Sequence, residues 1–191
     1  MRYLICCLAM LLLADGAYAD VEKTALRTDS GLRLVWWPKV DAPKGWHFDE
    51  QSSDHYAFKA FAPDGSDFTN ADRVIYAKAD FKPRFPEAKN VESLIKQDIS
   101  DFSSSHESIV VRREKPLLSG DAKPFELVSF TPEKDGDWER VAYGEEGEYF
   151  IIFTLSSRSK DGLTKAVSAF ESMIAGYHAA PLAPKKETTT P

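Results

Sequence analysis

Apolar and polar positions along the chain change period several times, and each change predicts an element. Leu4 to Ala14 is almost wholly apolar, with Arg2 ahead of it and Ala17-Tyr18-Ala19 behind it. A positive start, a short apolar core and a small-x-small site predict an export signal over residues 1–19, cut after Ala19. The apolar run is too short for a helix to cross a hydrocarbon core of roughly 30 Å. Gly31 to Trp37 reads as a strand stopped by Pro38, and Pro38 to Gly45 as a loop. Trp46-His47-Phe48 predicts a short strand or bend. His55 to Phe61 alternates apolar with polar positions and predicts a strand turned by Pro63-Asp64-Gly65. Arg73 to Ala79 is a strongly β-prone run.

From Asn90 the period becomes helical. Val91, Leu94, Ile95, Ile99 and Phe102 form one stripe, with Asn90 as the N-cap and Glu92, Lys96 and Gln97 facing away. Four β runs follow: Ser108 to Leu118, Pro124 to Thr131, Trp138 to Tyr143 and Tyr149 to Ser156. Asp135-Gly136 and Glu146-Gly147 separate the last three as tight turns, which predicts an antiparallel meander. A last helix starts near Asp161 and runs to about Tyr177, with Leu163, Ala166, Val167, Phe170, Ile174 and Tyr177 as its stripe. Residues 179–191 hold three prolines and three consecutive threonines and predict a disordered low-complexity tail. The fold class expected is α+β, one domain over 20–178, with helices packed on an antiparallel β-sheet.

Composition sharpens this picture. Both cysteines, Cys6 and Cys7, fall inside the export signal, so cleavage after Ala19 leaves a chain of 172 residues without a thiol. Disulfides, Cys-based zinc sites and thiol catalysis are thereby excluded from that product. Its core must hold it together, and a domain near 150 residues buries about 68–70% of its unfolded surface. The net charge is −6 before and after cleavage, which argues against nucleic acid as a partner. No later stretch approaches membrane-spanning length, so no stable membrane insertion is expected after signal removal, and localisation should be periplasmic or secreted. Oligomeric state is left open by the sequence.

Candidate chemistry is sparse. Ser93-Leu-Ile-Lys96 and Ser157-Arg-Ser-Lys160 match S-x-x-K, but the companion motifs of acyl-enzymes are absent and two matches are what chance delivers among this many serines and lysines. His47-x-Asp49 with Asp54-His55 offers a zinc-type donor set, although surface histidine is the simpler reading. Asp64, Asp67, Asn70 and Asp72, and the loop Glu133 to Asp137, hold oxygen donors of the type calcium takes; neither follows the twelve-position loop, and Asp and Gly are ordinary turn residues. Glycine-rich phosphate loops are absent, so no cofactor and no metal is expected. The aromatic cluster of the entry segment is the most suggestive feature: Trp36, Trp46 and Phe48 are the candidate ligand- or partner-binding residues. Trp36 and Trp37 must point to opposite faces of their strand, and a sheet covered on both sides would bury both.

Lys44-Gly45-Trp46, the helix Val91 to Phe102, Trp138 to Tyr143, and Gly147 to Phe153 leading into Phe170-Glu171-Ser172-Met173-Ile174 follow one another over residues 31–178. In these marks and in the order of its elements the chain resembles the PsbP-like α/β/α sandwich family. The resemblance implies helices on both faces of the sheet and a role in binding or assisting assembly of other macromolecules, with no shared catalytic residues to carry over. The expected function is an exported, soluble, non-catalytic protein that binds a partner or assists assembly in the cell envelope. The alternatives are a small-molecule or metal-binding module, and a hydrolase with an unfamiliar site such as Ser157 near His106.

Overall fold

The computed structural model describes residues 21–28, 31–105, 108–133 and 136–179. The export signal expected over residues 1–19 with its site at Ala19, as well as His106, Asp135 and residues 180–191 of the expected tail, lie outside the described residues. In chain order the elements are β1 (Val21–Thr28), β2 (Gly31–Pro38), β3 (Trp46–Phe48), α1 (Glu50–Tyr56), β4 (Lys59–Pro63) and β5 (Arg73–Phe81). A 3-10 turn at Lys82–Arg84 leads to α2 (Val91–Ser105), β6 (Ile109–Leu118), β7 (Pro124–Pro132), β8 (Trp138–Glu146), β9 (Tyr149–Ser157) and α3 (Lys160–Ala175). Two of these were not expected. Strand β1 pairs along its length with β2, from Val21 opposite Pro38 to Thr28 opposite Gly31. Helix α1 takes the place of the first half of the strand expected over His55 to Phe61, and the chain then turns through Ala57 at φ 63°.

Strands β3-β4-β5-β9-β8-β7-β6 form one seven-stranded sheet, antiparallel throughout, and β1-β2 form a separate hairpin. The fold is α+β, as the alternation of strand and helix signals predicts. Burial on both faces of the sheet follows from the central strand. On β9, Ile151, Phe153 and Leu155 belong to one apolar cluster, while Phe150 and Ile152 belong to the other. A strand covered on both sides needs a near-continuous apolar run, and Tyr149 to Leu155 is one. Helix α3 closes the first cluster with Ala166, Phe170, Met173 and Ile174, joined by Tyr177. Helix α2 closes the second with Leu94 and Ile95, and Val91, Ile99 and Phe102 pack at its margin. Asn90 caps α2 as expected: its Oδ1 accepts from the Ser93 N–H at 2.9 Å, and the Ser93 hydroxyl accepts from the Asn90 N–H at 3.0 Å.

Close packing shows most clearly at Gly144 on β8. A Cβ built there would stand 2.5, 2.7 and 2.8 Å from three ring atoms of Phe125. Phe125 itself meets Phe153 and Tyr177 edge-on at 5.6 and 6.0 Å. The sheet ends at β3 on one side and β6 on the other. The β6–β7 register shifts between Glu114 and Leu117, where Pro116 interrupts the strand.

Candidate functional site

Strand β4 pairs with β5 only through Lys59–Phe61 opposite Ala77–Ile75. Past Ala77, no strand among the described residues pairs with β5 on that side, and β2 packs against it instead. The space between them is a groove of about 390 Å³. Arg33, Leu34, Val35 and Trp36 of β2 form one wall, and Lys78 to Phe81 of β5 the other. Tyr56, Ala57 and Phe58 close one end, and Arg84 with Phe85 the other. Its volume falls in the range of small-molecule sites, about 300–1,000 Å³.

Trp36 is held firmly at this groove. Its ring stacks on Phe81 at 5.4 Å and meets Tyr149 at 6.3 Å. The Arg84 guanidinium lies 4.3 Å from the ring centre and donates from Nη1 to the Leu34 carbonyl at 3.2 Å. A cation over an indole is attracted by the ring's negative face, so Arg84 is fixed by two contacts that leave most of its donors unused. Lys78 pairs with Asp80 at 2.9 Å. Arg33 and Arg84 have no carboxylate partner among the described residues. In an acidic chain, this groove carries three cations against one carboxylate.

The other two candidates sit elsewhere. Trp46 and Phe48 share one face of β3, two residues apart, and Trp46 packs against the α3-side core. Phe48 stays 39% exposed, touching Phe61 at 6.0 Å and the Trp37 ring at 6.5 Å. Trp36 and Trp37 do point to opposite sides. Trp36 borders the core beneath α3, while Trp37 joins Leu26 and Val35 in a small cluster between the hairpin and Ala57. The structure therefore separates Trp36, on the groove, from Trp46 and Phe48, on the sheet edge.

The hairpin has a second face. Leu32, Leu34 and Trp36 alternate on β2 and stand opposite Arg27, Ala25 and Lys23 on β1. Leu32 is 73% exposed and Leu34 37% exposed. This is an apolar ridge flanked by cations, and an exposed leucine pair of this kind marks an interaction surface more often than an isolated leucine does.

The remaining motifs are absorbed by structure. Ser93 caps α2, and Lys96 pairs with Glu92 at 3.4 Å on the same helix. The Ser157 hydroxyl is buried within 3.0 Å of the Asp72 carbonyl and 2.9 Å of the Ser159 carbonyl, so it pins a loop to the start of α3. Asp67 accepts from Thr69 and Asn70 within its own turn, while Asp72 accepts from the Ser159 hydroxyl. These two carboxylates thus serve hydrogen bonds of the turn and of the start of α3. Among the described residues no group of three His, Cys, Asp or Glu side chains gathers in metal-binding geometry. His47 lies 3.7 Å from Asp64, and His55 rests edge-on against Tyr56.

Asp49 has a role that the zinc-type spacing hid. Its Oδ1 accepts from the Ser52 N–H and its Oδ2 from the Phe68 N–H, each at 2.9 Å. Burial pushes this carboxyl up, but the two backbone donors outweigh it and hold it below the usual aspartate value. Across the sheet, the Tyr143 hydroxyl donates to Asp98 of α2. Burial, then the Asp98 charge, pushes the Tyr143 phenol far up, so it stays a donor at any physiological pH. No protein-family model matches the chain, and no curated protein is similar enough to match it.

Proposed function

We propose that this chain is an exported, soluble, non-catalytic protein of the PsbP-like α/β/α type that binds a partner in the cell envelope and assists its assembly. The observation that carries the reading is the hairpin ridge. Leu32, Leu34 and the edge of Trp36 lie in line on β2, with Arg27, Lys23 and Arg84 around them. Tryptophan and arginine are enriched among binding hot spots, and the exposed leucines beside them add apolar contact area. The layer order supports the fold type: α3 covers one face of an antiparallel sheet and α2 the other. No helix among the described residues is long and apolar enough to cross a membrane, which is compatible with a chain free of stable insertion.

The test compares the processed protein with Leu32→Asp/Leu34→Asp in capture from envelope extract. Leu32 is 73% exposed, so Leu32→Asp alone should leave the melting temperature unmoved, and it is run beside the double variant because Leu34 is partly covered. A specific partner retained by the parent and lost by the double variant supports the proposal. Recovery of no specific partner, or equal recovery by both proteins, refutes it.

A second reading has its own observation. The 390 Å³ groove between β2 and β5 fits a small-molecule module. A thermal-shift panel of neutral, cationic and anionic small molecules, with calcium and zinc, tests this reading, and a flat panel removes it.

A further inference from the structure

We propose that the groove between β2 and β5 is a binding site for a small organic anion with a planar apolar body, its acid group held by Arg84 in a positive field that Arg33 reinforces. The inference rests on the small-molecule reading and adds the chemical class.

Three features argue for it. The first is charge. Arg33 and Arg84 line one cavity of a net-acidic protein without a carboxylate partner among the described residues. With Lys78 they make three cations against the single carboxylate of Asp80, and that excess of positive charge favours an acid group in the groove. The second is preorganisation. A guanidinium has five N–H donors. Arg84 spends one on the Leu34 carbonyl and lies over Trp36, so the rest of its fork is held in place before any ligand arrives. Lys78 does not compete for the same role, because Asp80 neutralises it at 2.9 Å. The third is the apolar lining. Leu34, Val35, Ala57, Phe58, Ala79 and Phe85 surround the space, so a bare inorganic anion would leave most of the wall uncovered.

The wall behind this lining is stiff. Phe58 stacks between Tyr56 at 5.5 Å and Tyr76 at 4.5 Å, and Phe68 leans on the same rings. A ligand therefore enters a shaped space rather than prising one open. The fixed position of the Arg84 fork also sets the direction of the ligand: acid group toward β2 and the 3-10 turn, apolar body toward Phe58 and Ala57.

Naphthoate, its neutral isostere naphthylmethanol, and acetate are the probes, measured by calorimetry on the chain lacking residues 1–19. Naphthoate is expected to bind at least about tenfold tighter than naphthylmethanol, the size of one charge-assisted hydrogen bond, and acetate not detectably. Arg33→Gln/Arg84→Gln should erase that tenfold preference, while Arg84→Lys should keep part of it. The Arg33 side chain is exposed and has no ion pair or hydrogen bond among the described residues, so Arg33→Gln alone must lower naphthoate affinity with an unchanged melting temperature. Equal binding of acid and alcohol, unchanged affinity in the double variant, or no binding of naphthoate overturns the inference. A thermal shift given only by neutral or cationic compounds also overturns it, yet leaves the small-molecule reading standing.

Discussion

Gly144→Ala measures how tightly the α3 side of the sheet is packed. The backbone at this position is extended, so alanine meets no conformational strain of its own. The added methyl would overlap the Phe125 ring at 2.5–2.8 Å, below any ordinary carbon–carbon contact. Phe125 cannot swing away, because it is buried against Phe153 and Tyr177. Overpacking of this kind costs about 1–3 kcal/mol. Replacing glycine recovers about 0.4–1 kcal/mol through the unfolded chain. The net expectation is a loss of about 1–2 kcal/mol, a fall in Tm of about 2–8 °C for a domain of this size. Urea denaturation followed by tryptophan fluorescence supplies the free energy. Phe125→Leu gives the second arm of a cycle, since a smaller side chain opposite the added methyl should absorb part of the clash. The double variant should then be more stable than the two single losses add up to, by at least about 0.5 kcal/mol. Stability of Gly144→Ala within about 0.5 kcal/mol of the parent, or a strictly additive cycle, refutes the packing argument.

Three further outcomes are expected. Asp49→Asn keeps the cap on Ser52 but faces the Phe68 N–H with a second donor, so it should destabilise by about 1–2 kcal/mol at neutral pH. The folded-state carboxyl is depressed, so its contribution is present above the unfolded pKa near 3.9 and lost as pH falls through the folded value. The gap between parent and variant in urea midpoint should therefore close on acidification from about pH 6 toward pH 2, and a constant gap would contradict the assignment. Arg140 bridges Glu114 of β6 at 2.7 Å and Glu171 of α3 at 3.1 Å with its side chain 11% exposed. Arg140→Ala should lose about 1–3 kcal/mol, while Glu171→Gln, whose partner keeps Glu114, should lose less than half of that. Mass spectrometry of the secreted chain should find a mature N-terminus at Asp20, and a product retaining residues 1–19 would sink the export reading.

Where one physical effect set the pattern, it was readable. The β9 run Tyr149 to Leu155 is apolar because both faces of the sheet are covered, and α2 and α3 show their stripes because each packs one side. Asn90 announced a helix start, and Gly147 a tight turn at φ 54°. Helix α1 was hidden because the residues it buries are Ser52 and Ser53. Ser53 faces inward to serve backbone: its hydroxyl donates to the Asp49 carbonyl at 2.7 Å and accepts from the Ala60 N–H at 2.8 Å. A polar residue used this way carries no apolar period, and Ala57 ends the helix in the left-handed region where glycine is the usual signal. Strand β1 was missed because Leu26 is the one buried side chain among its described residues, too few to set a period. Trp36 was legible as a binding candidate from its type alone. Arg33 and Arg84 were not, since they are fifty-one residues apart in sequence and line one groove only because β4 stops short on β5.

The shift in β6 bears on how the molecule meets its own copies. A ten-residue strand at the rim of a sheet offers a template on which another chain can build. Here Pro116 removes a donor, and the Glu114–Leu117 slip breaks the row of groups that a neighbour would have to match. Arg112 and Lys115 project from the same stretch, both exposed, so two copies approaching along this edge meet like charges as well as a broken template. Replacing these few residues of β6, which contribute little to the core, should therefore ease pairing between copies while leaving the stability of each copy unchanged.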